Sequence, residues 1–235
     1  MRENEYEGIG MQKIKSKLII IDGLDGSGKS TQFALIKDKL IKDGVDFRAI
    51  SFPEYDKPSS TLVKMYLNGD FSSDADSVNA YAASSFYAVD RYASFKLYWE
   101  DYYNSGGLIL ASRYVSSNAI HQMVKLPEGN WSEYLEWLED YEYNKLGLPR
   151  PDKIIFLDMP VEISQELLNK RYNGDTSKKD IHESNIEYLK RCRETALYAA
   201  DRLGWTVLEC NSGSLPLSED VINENLMKII YGAIM

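Results

Sequence analysis

The stretch Gly23-Leu24-Asp25-Gly26-Ser27-Gly28-Lys29-Ser30 decides the fold of this chain. It matches the pattern G-x-x-x-x-G-K followed by Ser or Thr, in which glycines let backbone N–H groups converge on phosphate oxygens. An apolar, β-branched run at residues 17–22 precedes it, and a segment with helical spacing at residues 29–42 follows it. A buried strand, a glycine-rich loop and a helix N-terminus in this order predict a phosphate-binding loop.

The rest of the chain alternates between short apolar runs and longer segments with helical spacing. Strands are predicted at residues 46–52, 108–112, 153–158 and 205–210, and helices at 59–67, 76–103, 114–124 and 131–145 and from Val161, Ser184 and Ser218. This alternation predicts an α/β chain with a three-layer P-loop NTPase fold, in which helices cover both faces of a five-stranded, mostly parallel sheet. We expect one domain over residues 17–235, preceded by a disordered tail at residues 1–16.

Charge and composition narrow the class of partner. The 235 residues include 27 Lys and Arg against 36 Asp and Glu, a net charge of −9, which argues against a protein that coats nucleic acid. A phosphorylated small molecule remains a candidate ligand because a pocket can be basic within an acidic protein. No apolar run approaches the roughly 18 residues of a membrane span. The two cysteines fit a reducing compartment, so we expect a cytoplasmic location and no membrane partner.

The glycine-rich loop predicts ATP binding with Mg²⁺. The expected ATP-binding residues are Gly23, Leu24, Asp25, Gly26, Ser27, Gly28, Lys29, Ser30 and Thr31. Lys29 would reach the β- and γ-phosphates, and the Ser30 hydroxyl would be the metal ligand. The chain lacks the N-K-x-D and L-S-G-G-Q motifs of GTPases and ABC-type ATPases. A small kinase, a regulatory nucleotide switch and an ATP-dependent ligase remain possible.

Polar and aromatic residues that follow other predicted strands indicate a second substrate. The carboxyl ends of parallel strands meet at one edge of the sheet, where ligands bind. Residues 52–54 follow the second strand and Arg113 follows the third. Tyr87 and Arg91 lie four residues apart, so they share one helix face. Taken alone, Tyr87 also fits a core position, and Arg91 also fits a surface ion pair with Asp90.

These motifs together resemble the thymidylate kinases, a family of P-loop nucleoside-monophosphate kinases. The resemblance rests on IDGLDGSGKSTQ (21–32), FPE (52–54), FYAVDRY (86–92), SRYVSSNAIHQ (112–122) and DIHE (180–183). It spans residues 17–215 in order and spacing, and only its first motif is generic. The resemblance implies transfer of the γ-phosphate of ATP to dTMP, with Mg²⁺ as cofactor, for dTTP synthesis. It also implies a homodimer built from helices on one side of the sheet.

The resemblance assigns the acceptor to a defined set of residues. The implied substrate-binding residues are Asp25, Phe52, Pro53, Glu54, Tyr87, Arg91, Arg113, Asn118, His121 and Gln122. Asp25 would hold the sugar 3′-hydroxyl, and Phe52 and Tyr87 would bracket the thymine. Arg91 and Asn118 would hydrogen-bond the edge of the base.

The remaining roles concern the phosphates and the sugar. Lys29, Arg113 and Arg171 are the implied catalytic residues, with Arg113 on the acceptor phosphate and Arg171 on a flexible lid at about residues 170–183. His121 and Gln122 would line the 2′ side and disfavour ribose. One branch of the family has arginine at the position of Gly26, so in this chain the lid should supply that charge.

Two departures from the family leave alternatives open. Ser112 stands where the family has an aspartate that helps position Mg²⁺, and Tyr55 stands where arginine is frequent. Asp158 could compensate as a Walker B carboxylate, or it could cap the helix from Val161. The chain could therefore be a kinase for another pyrimidine monophosphate, or a degenerate, non-catalytic nucleotide-binding protein.

Overall fold

Five strands form the central sheet of the computed structural model, which describes residues 17–72, 77–171 and 186–234. They are β1 (Lys17–Gly23), β2 (Arg48–Ser51), β3 (Leu108–Ser112), β4 (Lys153–Asp158) and β5 (Thr206–Glu209). Their order is β2-β3-β1-β4-β5, and every pairing within this sheet is parallel. The predicted five-stranded sheet is confirmed. Its carboxyl edge brings together residues that follow β1, β2 and β3.

Helices cover both faces of the sheet. They are α1 (Lys29–Lys42), α2 (Thr61–Leu67), α3 (Ala80–Ser94), α4 (Glu100–Asn104), α5 (Ser116–His121), α6 (Trp131–Glu139), α7 (Val161–Arg171), α8 (Ile186–Leu203) and α9 (Glu219–Ile234). Successive side chains of a strand point to opposite faces. Accordingly, Leu18 and Ile20 of β1 pack in a core with α5, α6 and α8, whereas Ile19 and Ile21 pack with α1 and α9. The three-layer prediction is confirmed.

The predicted helices differ from the observed ones mainly at internal breaks. The segment predicted at 76–103 contains α3, a π-helical turn (Phe95–Trp99) and α4, and α3 begins where the Asn79 side chain accepts a hydrogen bond from the Ala82 N–H. A second π-helical turn (Asp140–Lys145) extends α6. These turns interrupt the helical register without interrupting the apolar pattern, so periodicity alone does not predict them.

Shorter elements complete the described chain. 3₁₀ turns lie at Pro58–Ser60, Met123–Lys125 and Glu128–Asn130. The hairpin of β6 (Asn211–Ser212) and β7 (Leu215–Pro216) was not predicted, because strands of two residues are too short to show alternation. Across the described ranges, no helix combines the length and apolarity needed to cross a bilayer. The tail predicted at 1–16 and most of the lid predicted at 170–183 lie outside the described residues.

Candidate active site

The phosphate-binding loop joins β1 to α1, as its motif predicts. Gly26 and Gly28 adopt φ values of 79° and 82°, a region that residues with side chains rarely occupy. A Cβ at Gly26 would lie 2.9 Å from the carbonyl oxygen of Ser164 on α7. Position 26 therefore has no room for an arginine side chain, which fits the prediction that such a charge comes from elsewhere.

Lys29 is buried at the start of α1 and lies near three charged residues. Burial, together with the nearby Arg113 cation, lowers the pKa of Lys29 to about 8, against the opposing charges of Asp25 and Asp22. The Ser27 hydroxyl is buried without a hydrogen-bond partner among the described residues. A buried lysine beside an arginine makes this loop a favourable place for an anion.

Arg113 follows β3 in a strained backbone conformation. Its φ is 65°, the left-handed region that is rare for non-glycine residues, and such strain clusters at functional sites. Its Nη2 donates to Asp25 Oδ1 at 2.7 Å, and its Nη1 donates to His121 Nε2 at 2.9 Å. Burial and the Arg113 cation lower the pKa of His121 to about 3, so the imidazole is neutral and can accept this hydrogen bond.

A cavity of about 210 Å³ opens beside Arg113. Its lining residues are Asp25, Phe52, Pro53, Tyr55, Leu67, Tyr87, Arg91, Arg113, Ser117, Asn118, His121 and Gln122. The lining contains every predicted substrate-binding residue except Glu54. The Glu54 N–H donates to Asp90 Oδ2 at 2.9 Å, and burial raises the pKa of its carboxyl. Tyr55, Leu67 and Ser117 belong to the lining without having been predicted.

Arg91 forms a buried ion pair with a residue that the sequence analysis missed. Its Nε and Nη2 donate to Glu142 Oε2 and Oε1 at 2.7 and 2.6 Å, and its Nη1 donates to the Tyr114 carbonyl at 3.2 Å. The alternative prediction, a surface ion pair between Arg91 and Asp90, is therefore wrong. Asp90 accepts hydrogen bonds from Ser59 and Glu54 instead. Burial alone would lower the pKa of Arg91, but Glu142 raises it above its ordinary value.

A signal for Glu142 was present in the sequence. The buried residues of α6 are Trp131, Tyr134, Leu135 and Leu138. Glu142 follows Leu138 by four residues, so it continues this apolar stripe as a carboxylate and is fully buried. A charged residue at a core position requires a buried partner. The sequence does not identify that partner.

Two further polar residues complete this end of the cavity. Asn118 Nδ2 donates to Glu142 Oε1 at 3.0 Å and to the Ser84 carbonyl at 3.2 Å. Gln122 is 4% exposed, and its Oε1 has no hydrogen-bond partner within the described parts of the chain. A buried acceptor without a partner is costly, and Gln122 lines the cavity, so its Oε1 is a group that bound water or a ligand can satisfy.

Asp158 has a partner that differs from both of its proposed roles. Both of its carboxylate oxygens accept hydrogen bonds from Arg193, at 2.6 and 2.7 Å. The observed partner of this carboxylate is therefore an arginine of α8. Asp22 also has several partners, because it accepts hydrogen bonds from the Gly23 N–H and from the hydroxyls of Ser116 and Ser117.

The donor set for a metal is sparse but fits an ion carried by a nucleotide. Among the described residues there is no cluster of three or more His, Cys, Asp or Glu that could hold a metal. Mg²⁺ in phosphoryl-transfer sites takes most of its ligands from water and phosphates, with one or two protein oxygens. The exposed Ser30, in the first turn of α1, can supply one. Arg171 is the last residue of α7, and its side chain lies outside the described part.

Comparisons with known proteins agree with this geometry. A family model described as thymidylate kinase matches residues 21–220. A thymidylate kinase of Mycobacterium tuberculosis is 27% identical over 176 residues, 74% of this chain and 81% of that protein. A probable thymidylate kinase of Thermococcus onnurineus is 29% identical over 186 residues, 78% of this chain and 84% of that protein. The solved structure of a Candida albicans thymidylate kinase covers 94% of each chain at 22% identity, with a TM-score of 0.69, which supports the fold.

Proposed function

The chain belongs to the thymidylate kinase family, and we propose that it transfers the γ-phosphate of ATP to dTMP, giving ADP and dTDP. One observation carries the proposal. The cavity beside the phosphate-binding loop has Arg113 and Asp25 at the end near the loop, and Arg91 and Asn118 among its other lining residues. It can therefore hold a nucleoside monophosphate with its phosphate near Lys29.

Phosphoryl transfer requires alignment and charge neutralisation more than covalent chemistry. The backbone N–H groups of the loop and the Lys29 ammonium would bind the β- and γ-phosphates of ATP. Mg²⁺ bound with ATP would neutralise phosphate charge, and Ser30 would hold it. Arg113 would bind the acceptor phosphate through its remaining N–H groups, since the guanidinium fork suits a phosphate. Arg171 would add positive charge from the lid.

The acceptor would be held at three points along the cavity. Asp25 would accept a hydrogen bond from the 3′-hydroxyl. Phe52 is buried and Tyr87 is half-buried, and both are aromatic residues of the lining that are suited to bracketing a pyrimidine. Arg91 and Asn118 would hydrogen-bond the base edge. His121 and Gln122 would border the 2′ carbon.

The alternatives are separable by one experiment. Another pyrimidine monophosphate could be the preferred acceptor, and Ser112 could mark a degenerate protein that binds nucleotide without turnover. A coupled assay of ADP formation should be run with ATP, Mg²⁺ and a panel of nucleoside monophosphates. Preference for dTMP is the expected result. A different preferred acceptor would replace dTMP in the proposal, and nucleotide binding without turnover with any acceptor would overturn the kinase assignment.

We also propose a homodimer formed through the α3 side of the molecule. Val89, Tyr92, Leu97 and Tyr98 are large apolar residues there that are 39–69% exposed. Light scattering should give a dimer at micromolar concentration, and Leu97→Glu should weaken it. A monomeric wild-type protein would remove this proposal. We propose a cytoplasmic location as well, because ATP and nucleoside monophosphates are available there.

A further inference from the structure

The ion pair between Arg91 and Glu142 is unusual in its complete burial. The two side chains are 1% and 0% exposed. Removing two charges from water is expensive, and apolar residues of similar volume frequently give equal or greater stability. Stability therefore does not explain why this pair is present. Its neighbours give a better explanation, because Glu142 contacts two residues that line the cavity.

Glu142 determines which hydrogen-bonding atoms Arg91 can offer. A guanidinium has five N–H groups. Two of those of Arg91 are bound to Glu142 and one to the Tyr114 carbonyl. The side-on contact through Nε and Nη2 fixes the plane of the group and leaves one N–H on Nη1 and one on Nη2. Towards the cavity, Arg91 is therefore a rigid donor.

The same carboxylate determines the orientation of the Asn118 amide. Its Nδ2 group donates to Glu142 Oε1 and to the Ser84 carbonyl, and both of these oxygens can only accept. The amide therefore cannot be rotated by 180° without placing its oxygen against two acceptors. Its carbonyl oxygen Oδ1 is the atom left for a ligand, so Asn118 presents an acceptor.

We propose that Glu142 is a positioning residue that sets the hydrogen-bond polarity of the base end of the cavity. With Arg91 held as a donor and Asn118 as an acceptor, this end complements a pyrimidine imide, which has a carbonyl at C4 and an N–H at N3. It opposes a cytosine edge, which has an amino donor at C4 and an acceptor at N3. The inference rests on the proposed function, because it assigns the base of the acceptor to this end.

The test compares dTMP with 5-methyl-dCMP, which differs from dTMP only at the edge in question. In Glu142→Gln the new amide brings an N–H group against Arg91 or against Asn118 Nδ2. Where that N–H faces Asn118, rotation of the Asn118 amide turns its Oδ1 to accept it and presents an N–H to the cavity, at the cost of the hydrogen bond to the Ser84 carbonyl. The ratio of kcat/KM for dTMP to that for 5-methyl-dCMP should fall by at least about tenfold, mainly through KM.

Two further variants serve as a control and as a conservative substitution. Glu139, on α6, forms an exposed ion pair with Arg150. Glu139→Gln removes this pair, so the ratio of the two kcat/KM values should stay at the wild-type value. Glu142→Asp keeps the charge that buried Arg91 needs but shortens its reach, so it should fold even if Glu142→Gln does not. It should give a ratio between those of the wild type and Glu142→Gln. The proposal would be overturned if either Glu142→Asp or Glu142→Gln lost activity equally with both acceptors. The ratio of kcat/KM for dTMP to that for 5-methyl-dCMP would then be unchanged.

Failure of the proposed function has a different signature. If the wild-type protein does not phosphorylate dTMP, the kinase assignment fails, and the role of Glu142 is then tested by calorimetric binding of the same two nucleotides. Tighter binding of dTMP in the wild type, with the preference reduced in Glu142→Asp, supports the inference. Equal affinities of the wild type for dTMP and 5-methyl-dCMP would overturn it.

Discussion

The two ends of the cavity treat charge in different ways. At the phosphate end, Lys29 has a pKa lowered by burial and by Arg113, and both cations lie next to a glycine-rich loop with N–H groups available to an anion. At the base end, the Arg91 charge is matched by Glu142 inside the protein. At the phosphate end the cations are open to a ligand, because the ion pair of Arg113 with Asp25 is partly exposed, whereas at the base end the ion pair is fully buried and orients hydrogen-bonding groups. Disrupting each end should therefore affect different kinetic quantities.

The largest expected effect is at the phosphate end. Arg113→Ala removes the cation proposed for the acceptor phosphate, and kcat/KM should fall by about 10²–10⁴-fold. Arg150→Ala is the matched control, because it removes an arginine whose ion pair with Glu139 is exposed. Steady-state kinetics with dTMP measure both. Near-normal turnover of Arg113→Ala would show that the two ends do not differ as described.

The next largest effect is discrimination between deoxyribose and ribose in the acceptor, whose sugar would lie between the two ends of the cavity. Gln122 is buried, and the His121 imidazole is held by Arg113, so a 2′-hydroxyl would meet packed groups. Forcing an extra hydroxyl against a packed wall costs about 1–3 kcal/mol, so UMP should be a poorer acceptor than dUMP by about 5- to 150-fold in kcat/KM. Gln122→Ala should narrow this difference. Equal efficiency with dUMP and UMP in the wild type would contradict the assignment.

A smaller effect is expected at Ser112, because Asp158 and Asp22, the two carboxylates that could replace the missing aspartate, already have hydrogen-bond partners. Asp158 is bound by Arg193, and Asp22 accepts three hydrogen bonds. Ser112→Asp should therefore raise turnover by about tenfold and lower the Mg²⁺ concentration for half-maximal rate. Asparagine has nearly the shape of aspartate without its charge, so Ser112→Asn should show no gain in turnover. An unchanged or lower rate for Ser112→Asp across a Mg²⁺ titration would indicate a site built around serine.

The smallest effect is a pH dependence of nucleotide binding. Lys29 has its pKa lowered to about 8, so it loses its proton as the pH rises through that value, and bound phosphates would raise the pKa again. Binding should take up protons near pH 8, and affinity should fall by about twofold from about pH 7 to about pH 8. Calorimetry in two buffers with different ionisation enthalpies measures the uptake. No proton uptake near pH 8 would contradict a neutralising role for Lys29.

Local features of the site were predictable, and long-range pairings were not. The phosphate-binding loop, β3 and β4 follow from residues that are adjacent in the chain, so pattern and motif were sufficient. Glu142 lies 51 residues from Arg91, and Arg193 lies 35 residues from Asp158. The sequence shows Glu142 as a charge within an apolar stripe, but it does not identify Arg91 as its partner. Nor does it identify Arg193 as the partner of Asp158. The positive φ of Arg113 likewise depends on the surrounding strands.

The sequence by itself determined the alternation of strands and helices, the position of the phosphate-binding loop and the family to which the chain is similar. These depend on local backbone preferences and on residues within one turn or one loop. The tertiary structure alone decided that Arg91 is neutralised by Glu142, that Asn118 presents its carbonyl oxygen, and that Asp158 is bound to Arg193. Each of these depends on which helices pack together across the sheet, and only packing determines the partner of a buried charge.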